Sequence, residues 1–115
     1  MLAFRSRDIA TISEADLPII EQLFDSFERV LGPVGAAKSL HLLAPRFFPL
    51  WDRKIAKAYH WELGSVGTNG VRYVAFCLIT ATQVRALSPM MTSEDNLLKR
   101  IDEYNYGKHT KGWAI

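Results

Sequence analysis

The chain has 115 residues, a formal net charge of +2 and 49% hydrophobic residues. This length suits one domain with one core, and the composition is ordinary for a soluble globular protein. The net charge is too small to indicate a nucleic-acid partner by itself, so any basic surface must come from local clustering. The single cysteine, Cys77, excludes a disulfide framework and a thiolate metal cluster.

Membrane and metal functions are not indicated by the sequence. The opening segment MLAFRSRDIATI is too polar for a signal peptide, and the longest apolar run, 73–79, is too short to span a bilayer. We therefore expect a cytoplasmic protein without a membrane partner. His41, His60 and His109 lack metal-ligand spacing, so the sequence predicts no metal site and no cofactor.

The first strong pattern covers residues 17–31. Hydrophobic residues recur there at steps of three and four, with charged residues on the opposite side, which predicts an amphipathic helix. Asp16 suits the N-cap because it leaves Pro18 in the first turn, where a missing N–H is tolerated. Gly32 and Pro33 then end this helix.

Two more helices are predicted after a short turn. The apolar segment 36–44 predicts a buried helix, so that 17–44 forms a pair of helices joined by a glycine-containing hairpin. A third helix is predicted from 49, because proline suits the first helical position. Gly64 is its expected stop.

The carboxy-terminal half predicts two further helices. Segment 71–87 contains neither Gly nor Pro, and its length favours a central buried helix, although its β-branched residues favour a strand. A last amphipathic helix is predicted over 93–106, where Thr92 and Asp95 resemble a capping pair. The sequence therefore predicts an all-α fold, a single compact domain over 1–115 with about five helices.

The hairpin between the first two helices suggests a nucleic-acid contact. In a helix-hairpin-helix, the N–H groups of a glycine turn and of the second helix N-terminus bind a DNA phosphate. Glycine suits this place because the backbone turns sharply and approaches a phosphate closely. A plain interhelical turn with a solvated basic face explains the same pattern. The nucleic-acid-binding candidates are Gly32, Val34, Gly35, Ala36, Arg46, Arg53 and Lys57.

Residues 31–52 resemble the catalytic corner of the helix-hairpin-helix DNA glycosylases. That superfamily places a Leu-Pro-Gly-Val-Gly hairpin before a helix, a lysine shortly after it, and an aspartate at the start of the next helix. The resemblance implies that Lys38 attacks the sugar as an amine nucleophile and that Asp52 activates it and stabilises positive charge on the sugar. Pro33 and Gly32 are swapped here, which implies a degenerate or minimal relative without the full catalytic apparatus.

A second resemblance concerns residues 38–52. They are similar to small uncharacterised bacterial and archaeal proteins, in which a Lys-x-Leu-His helix leads into a Phe-Pro-x-x-Asp turn. This resemblance implies that Lys38, His41 and Asp52 belong together, and Lys38 and His41 share a helix face. The three are either a catalytic group or a structural one, in which Lys38 or His41 pairs with Asp52 to join two helices.

Two function classes follow from the sequence. The first is a nucleic-acid-binding module, with DNA as its partner, that is related to the glycosylases with or without their activity. The second is a protein–protein interaction scaffold, expected as a homodimer because a small aromatic-rich domain leaves an apolar patch. Open backbone N–H groups over 32–37 favour the first class, and covered ones favour the second.

Overall fold

The computed structural model describes residues 2–90 and 96–113, with side chains from Phe4 onward. No strand occurs among these residues, which confirms the predicted all-α class. None of the described helices has the length and hydropathy needed to cross a bilayer. The helices are α1 (Leu2–Arg5), α2 (Leu17–Leu43), α3 (Arg53–Ala58), α4 (Gly70–Leu87) and α5 (Leu97–Asn105). Single turns of 3-10 helix occupy Ile9–Thr11, Glu14–Asp16 and Ser88–Met90, and a π-helical turn occupies Tyr106–Thr110.

Helix α2 spans both helices that the sequence predicts over 17–31 and 36–44. Its regular geometry is interrupted at Gly32, where φ is 76° and ψ is 176°. This left-handed φ favours glycine, and Pro33 restarts the helix at a position where no N–H is required. The expected turn of several residues is therefore a break of one residue, and the two predicted helices form one element. Four helices of six or more residues occur among the described residues, against about five predicted.

Gly35 serves a different purpose from Gly32. Its φ is not positive, but a Cβ placed on it would lie 2.8 Å from the Cβ of Leu31. Glycine is therefore needed at Gly35 so that the two parts of α2 approach each other closely. This steric requirement is a structural reason for glycine at this position, independent of the predicted phosphate contact.

Aromatic side chains form the centre of the core. Tyr73 stacks on Phe24 with ring centroids 4.8 Å apart, and Trp51 packs between Tyr73 and Phe76 at 5.2 and 5.5 Å. Tyr73 and Phe76 lie on α4, which is apolar on both faces because α2 and α5 both pack against it. The helical interpretation of 71–87 is thus confirmed. The Cα radius of gyration of 13.4 Å is that of a compact domain of this size.

Two helix boundaries differ from the predicted ones. The third helix begins at Arg53 rather than at 49, because residues 49–52 lie outside regular helix and bond to several helices. It ends at Ala58, before the expected stop at Gly64. Helix α5 has Asn96 as its N-cap, whose side chain accepts from the Lys99 N–H. The predicted start at 93 and the Thr92–Asp95 pair lie outside the described residues.

A buried carboxylate organises the loop between α3 and α4. Glu28 of α2 is 1% exposed, and it accepts from the N–H of Gly67 and the side-chain amide of Asn69 at 2.9 and 2.7 Å. The Asn69 carbonyl oxygen accepts in turn from the Gly64 N–H at 2.8 Å. The loop between Gly64 and Asn69 is therefore folded around the Glu28 side chain.

Substitution of Asn69 tests this arrangement. Asn69→Ala removes one donor from a buried carboxylate, and we expect the free energy of unfolding to fall by roughly 2–3 kcal/mol, as for hydrogen bonds to charged groups. Urea denaturation measures the change. Ser65→Ala, at an exposed position of the same loop, is the control and should change stability by less than about 0.5 kcal/mol. Equal losses in the two variants would contradict the assigned role of Asn69.

Candidate functional site

A cleft of about 450 Å³ opens between the second half of α2, the segment 50–55 and α5. This volume falls in the range of sites that bind small organic ligands. Apolar and aromatic side chains form most of its walls, and a few charged groups converge on it. The lining residues are Val34, Lys38, His41, Leu50, Trp51, Asp52, Ile55, Lys99, Asp102, Glu103 and Tyr106.

The three residues that the sequence groups together all line this cleft. Lys38 and His41 lie one turn apart on α2, and Asp52 precedes α3. Lys38 is exposed and His41 is partly buried. However, neither Lys38 nor His41 forms an ion pair or hydrogen bond with Asp52. The expected structural pair between these residues is therefore replaced by separate interactions.

Asp52 has a structural role at the start of α3. One carboxylate oxygen accepts from the Ile55 N–H at 2.8 Å, which is N-capping geometry. The other oxygen accepts a hydrogen bond from the hydroxyl of Thr110 in the π-helical turn. Both oxygens are engaged, so Asp52 joins α3 to the carboxy-terminal turn.

His41 has a fixed orientation at the inner end of the cleft. Its Nδ1 atom lies 2.9 Å from the carbonyl oxygen of Phe48. Because a carbonyl only accepts, Nδ1 must carry the proton, and Nε2 of the neutral ring is left as an acceptor. The nearest carboxylate oxygen to Nδ1 is Oδ2 of Asp102, 3.8 Å away.

Asp102 is the functional candidate that the sequence does not reveal. It is 7% exposed, Oδ1 accepts from the Leu50 N–H at 3.1 Å, and Oδ2 has no hydrogen-bond partner. Burial raises the pKa of Asp102 to about 7. The hydrogen bond from the Leu50 N–H lowers this pKa, whereas the nearby charge of Glu103 raises it. A carboxyl group with such a pKa beside an imidazole marks a candidate site for binding or proton transfer.

A sequence signal for Asp102 exists in retrospect. Leu98, Ile101 and Asn105 are buried residues of α5, and Asp102 falls at helical spacing within this buried stripe. A charged residue on the buried face of an amphipathic helix is rare unless it has a partner. The distant partner, Leu50, cannot be identified from local spacing.

The predicted contacts around the break differ in burial. Apart from the neighbouring backbone, no heavy atom lies within 4 Å of the position that a Cβ on Gly32 would occupy. Val34 is partly buried and lines the cleft. Ala36, in contrast, is fully buried, and Gly35 faces Leu31. Gly32 and Val34 therefore remain as candidates at the surface.

None of the predicted basic contacts lines the cleft. Arg46 follows the far end of α2, and residues 33–43 place about 16 Å of helix between it and Gly32. The guanidinium group of Arg53 donates to the Leu63 carbonyl at 3.3 Å, and Lys57 is exposed on α3. The cations at the cleft are instead Lys38 and Lys99.

The described residues do not indicate a metal site or a reactive thiol. They contain no group of three or more His, Cys, Asp or Glu side chains arranged to hold a metal ion. Cys77 is fully buried, and burial raises the pKa of its thiol, which keeps it protonated and unreactive.

Comparisons with protein-family models, with curated proteins and with solved structures found no match to this chain. The inference of function therefore depends on the chemistry of the cleft and of the neighbouring break in α2.

The ionisation of Asp102 should be visible in stability. In the unfolded chain an aspartate loses its proton near pH 4, whereas folded Asp102 keeps it to about pH 7. Ionisation thus favours the unfolded state, and the folded protein loses stability as pH rises from 4 to 7. As pH rises across this window, the free energy of unfolding of Asp102→Asn should increase relative to that of wild type by on the order of 3 kcal/mol.

Urea denaturation at pH 4.5, 6.0 and 7.5 measures this difference. Glu62→Gln removes an exposed carboxylate and is the matched control, with no comparable trend expected. Parallel pH profiles for wild type and Asp102→Asn would show that Asp102 ionises normally in the folded protein.

Proposed function

We propose that the protein binds nucleic acid, with a strand phosphate beside Gly32 and one unstacked nucleotide in the cleft. One observation carries this proposal. A single helical segment, 33–43, adjoins both the phosphate position beside Gly32 and the nucleotide position in the cleft. It begins directly after the open position at Gly32, and its side chains Val34 and Lys38 line the cleft. A strand lying across the break in α2 is therefore adjacent to the cleft.

The start of segment 33–43 suits a phosphate. The early N–H groups of a helix point along its axis, and the helix dipole adds partial positive charge there. The indole N–H of Trp51 donates to the Pro33 carbonyl at 3.1 Å, which holds this end of the segment against the core. A contact surface that is already ordered loses less entropy when it binds a strand.

The cleft suits a planar ring with a charged substituent. Tyr106 is 47% exposed at the cleft, and the buried ring of Trp51 forms part of its wall. Proteins that bind single strands stack unpaired bases on aromatic rings, and basic side chains contact the backbone nearby. Lys38 provides such a cation one turn after Val34.

Binding without glycosylase chemistry is the form of this function that we favour. The glycosylase resemblance assigns Asp52 the task of activating Lys38, but both Asp52 oxygens accept hydrogen bonds from Ile55 and Thr110. Asp52 forms no hydrogen bond or ion pair with Lys38 among the described contacts. The proposal therefore retains the nucleic-acid contact of the hairpin and omits the covalent step.

Binding of labelled oligonucleotides in a salt series tests the proposal. We expect affinity that falls steeply with salt, and tighter binding of single strands or of duplexes with an abasic site than of intact duplex. Lys38→Ala should reduce the salt slope by about one and abolish the preference for unstacked nucleotides. Fluorescence anisotropy gives both quantities.

Lys57→Ala is the matched control, because it removes the same charge from an exposed helix position outside the cleft. It should leave the preference for unstacked nucleotides unchanged. Absence of binding to any oligonucleotide at low salt would exclude the proposed function. Equal effects of the two variants on the preference would exclude the cleft as the nucleotide site.

A second candidate function is supported by an apolar face of α4. Val71 and Leu78, two turns apart on this helix, are 63% and 40% exposed. No charged side chain lies between Arg72 and Arg85, and both arginines bond to nearby loop atoms. We propose, as the alternative, a homodimeric scaffold in which this face pairs with a second copy.

Light scattering at tens of micromolar protein distinguishes this alternative. Leu78→Asp places a charge in the centre of the proposed interface and should convert a dimer to monomer. Leu42→Asp changes an even more exposed leucine, on α2, and should leave the dimer intact. A monomeric wild-type protein would rule out the homodimer.

A further inference from the structure

The two walls of the cleft carry matching side chains. On α2, Lys38 lies three residues before His41, and on α5, Lys99 lies three residues before Asp102. Both lysines are exposed, whereas His41 is partly buried and Asp102 is buried. Because residues three apart share a helix face, each wall has a cation toward solvent and a titratable group deeper in the cleft.

The lysines are available to an anion. Neither Lys38 nor Lys99 forms an ion pair within the described part of the chain. Two other charged groups line the cleft, Asp52 and Glu103. Asp52 accepts hydrogen bonds from the Ile55 N–H and the Thr110 hydroxyl, and Glu103 is exposed to solvent. The cleft therefore presents two unpaired cations from opposite walls.

His41 is positioned to respond to an anion. In its neutral form Nε2 has no proton to donate, because Nδ1 holds the ring proton toward the Phe48 carbonyl. A phosphate oxygen beside Nε2 requires the imidazolium form. The Asp102 carboxylate, 3.8 Å from Nδ1, provides the counter-charge that stabilises an imidazolium.

From this arrangement we infer that the cleft is a proton-linked phosphate site. Lys38 and Lys99 hold one phosphodiester of the strand from opposite walls, and His41 donates to the same group as an imidazolium balanced by Asp102. The inference depends on the proposed nucleic-acid function and specifies which chemical group enters the cleft. His41 and Asp102 thereby set the pH range in which the strand binds.

The direction of the pH dependence follows from the number of protons on the pair. Below about pH 7 the protonated Asp102 already holds the proton that the bound state needs. Above that pH Asp102 is ionised, and binding takes up one proton from solvent. Affinity should therefore fall as pH rises above 7, by at most tenfold per pH unit.

A single-stranded oligonucleotide with 5′-hydroxyl ends is a suitable probe, because it lacks a phosphomonoester and its phosphodiesters stay ionised in this range. Its affinity is measured by fluorescence anisotropy between pH 5.5 and 8.5 at constant ionic strength. Wild type should bind at least fivefold more tightly at pH 6 than at pH 8.5. His41→Gln should lose this difference and keep the weaker affinity of pH 8.5 throughout.

Two further variants test the His41–Asp102 pair and provide a control. Asp102→Asn keeps the shape of the side chain but removes the counter-charge, so the pH dependence should move to lower pH. His60→Asn changes an exposed histidine with φ of 74°, a conformation that asparagine tolerates, and should retain the wild-type profile. Circular dichroism at each pH verifies that the variants are folded.

The outcomes separate this inference from the proposed function. Binding with the same pH profile in wild type and in His41→Gln would overturn the proton-linked site and leave nucleic-acid binding intact. No binding of the wild type at any pH would overturn both. Lys99→Ala provides an independent test, since it should weaken binding at pH 6 as much as Lys38→Ala does. An unchanged affinity in Lys99→Ala would exclude the clamp between the two walls.

Discussion

Four consecutive residues between α2 and α3 each bond to a different helix, and the fold depends on this short non-helical segment. Buried polar groups require partners, and a segment outside a helix cannot satisfy its own backbone groups. The segment therefore fixes the relative positions of the helices that surround it. The bonds join Pro49 to Tyr73 of α4, Leu50 to Asp102 of α5, Trp51 to Pro33 of α2, and Asp52 to Ile55 of α3.

The cleft is a consequence of the same segment. Leu50, Trp51 and Asp52 form its base, so its shape is set by bonds that also hold the core together. The break at Gly32 lies beside it because Trp51 binds the next residue of α2. A phosphate site at the break and a nucleotide site in the cleft would therefore share a rigid support, as precise binding geometry requires.

The sequence predicts what local spacing controls. Periodicity predicts the first half of α2 and α5, the length of an uninterrupted apolar segment predicts α4, and Gly32-Pro33 predicts a change of direction within the first pair of helices. The position of Lys38, His41 and Asp52 on one cleft follows from a helix face and a short connection. The start of α3 differs from the predicted one because Pro49 has a good helix-start signal, whereas in the fold its carbonyl accepts a tertiary hydrogen bond from the Tyr73 hydroxyl. Asp102 was missed because its partner is 52 residues away.

Asp102 shows how fold and function compete for one residue. Its Oδ1 atom satisfies the Leu50 N–H, a task that the carbonyl oxygen of an asparagine would perform equally well. The carboxyl group instead leaves Oδ2 buried without a partner, and burial of a carboxylate destabilises the folded state near neutral pH. Stability alone therefore favours asparagine. The charge becomes useful only if the neighbouring His41 is protonated, which connects this costly side chain to an anion in the cleft.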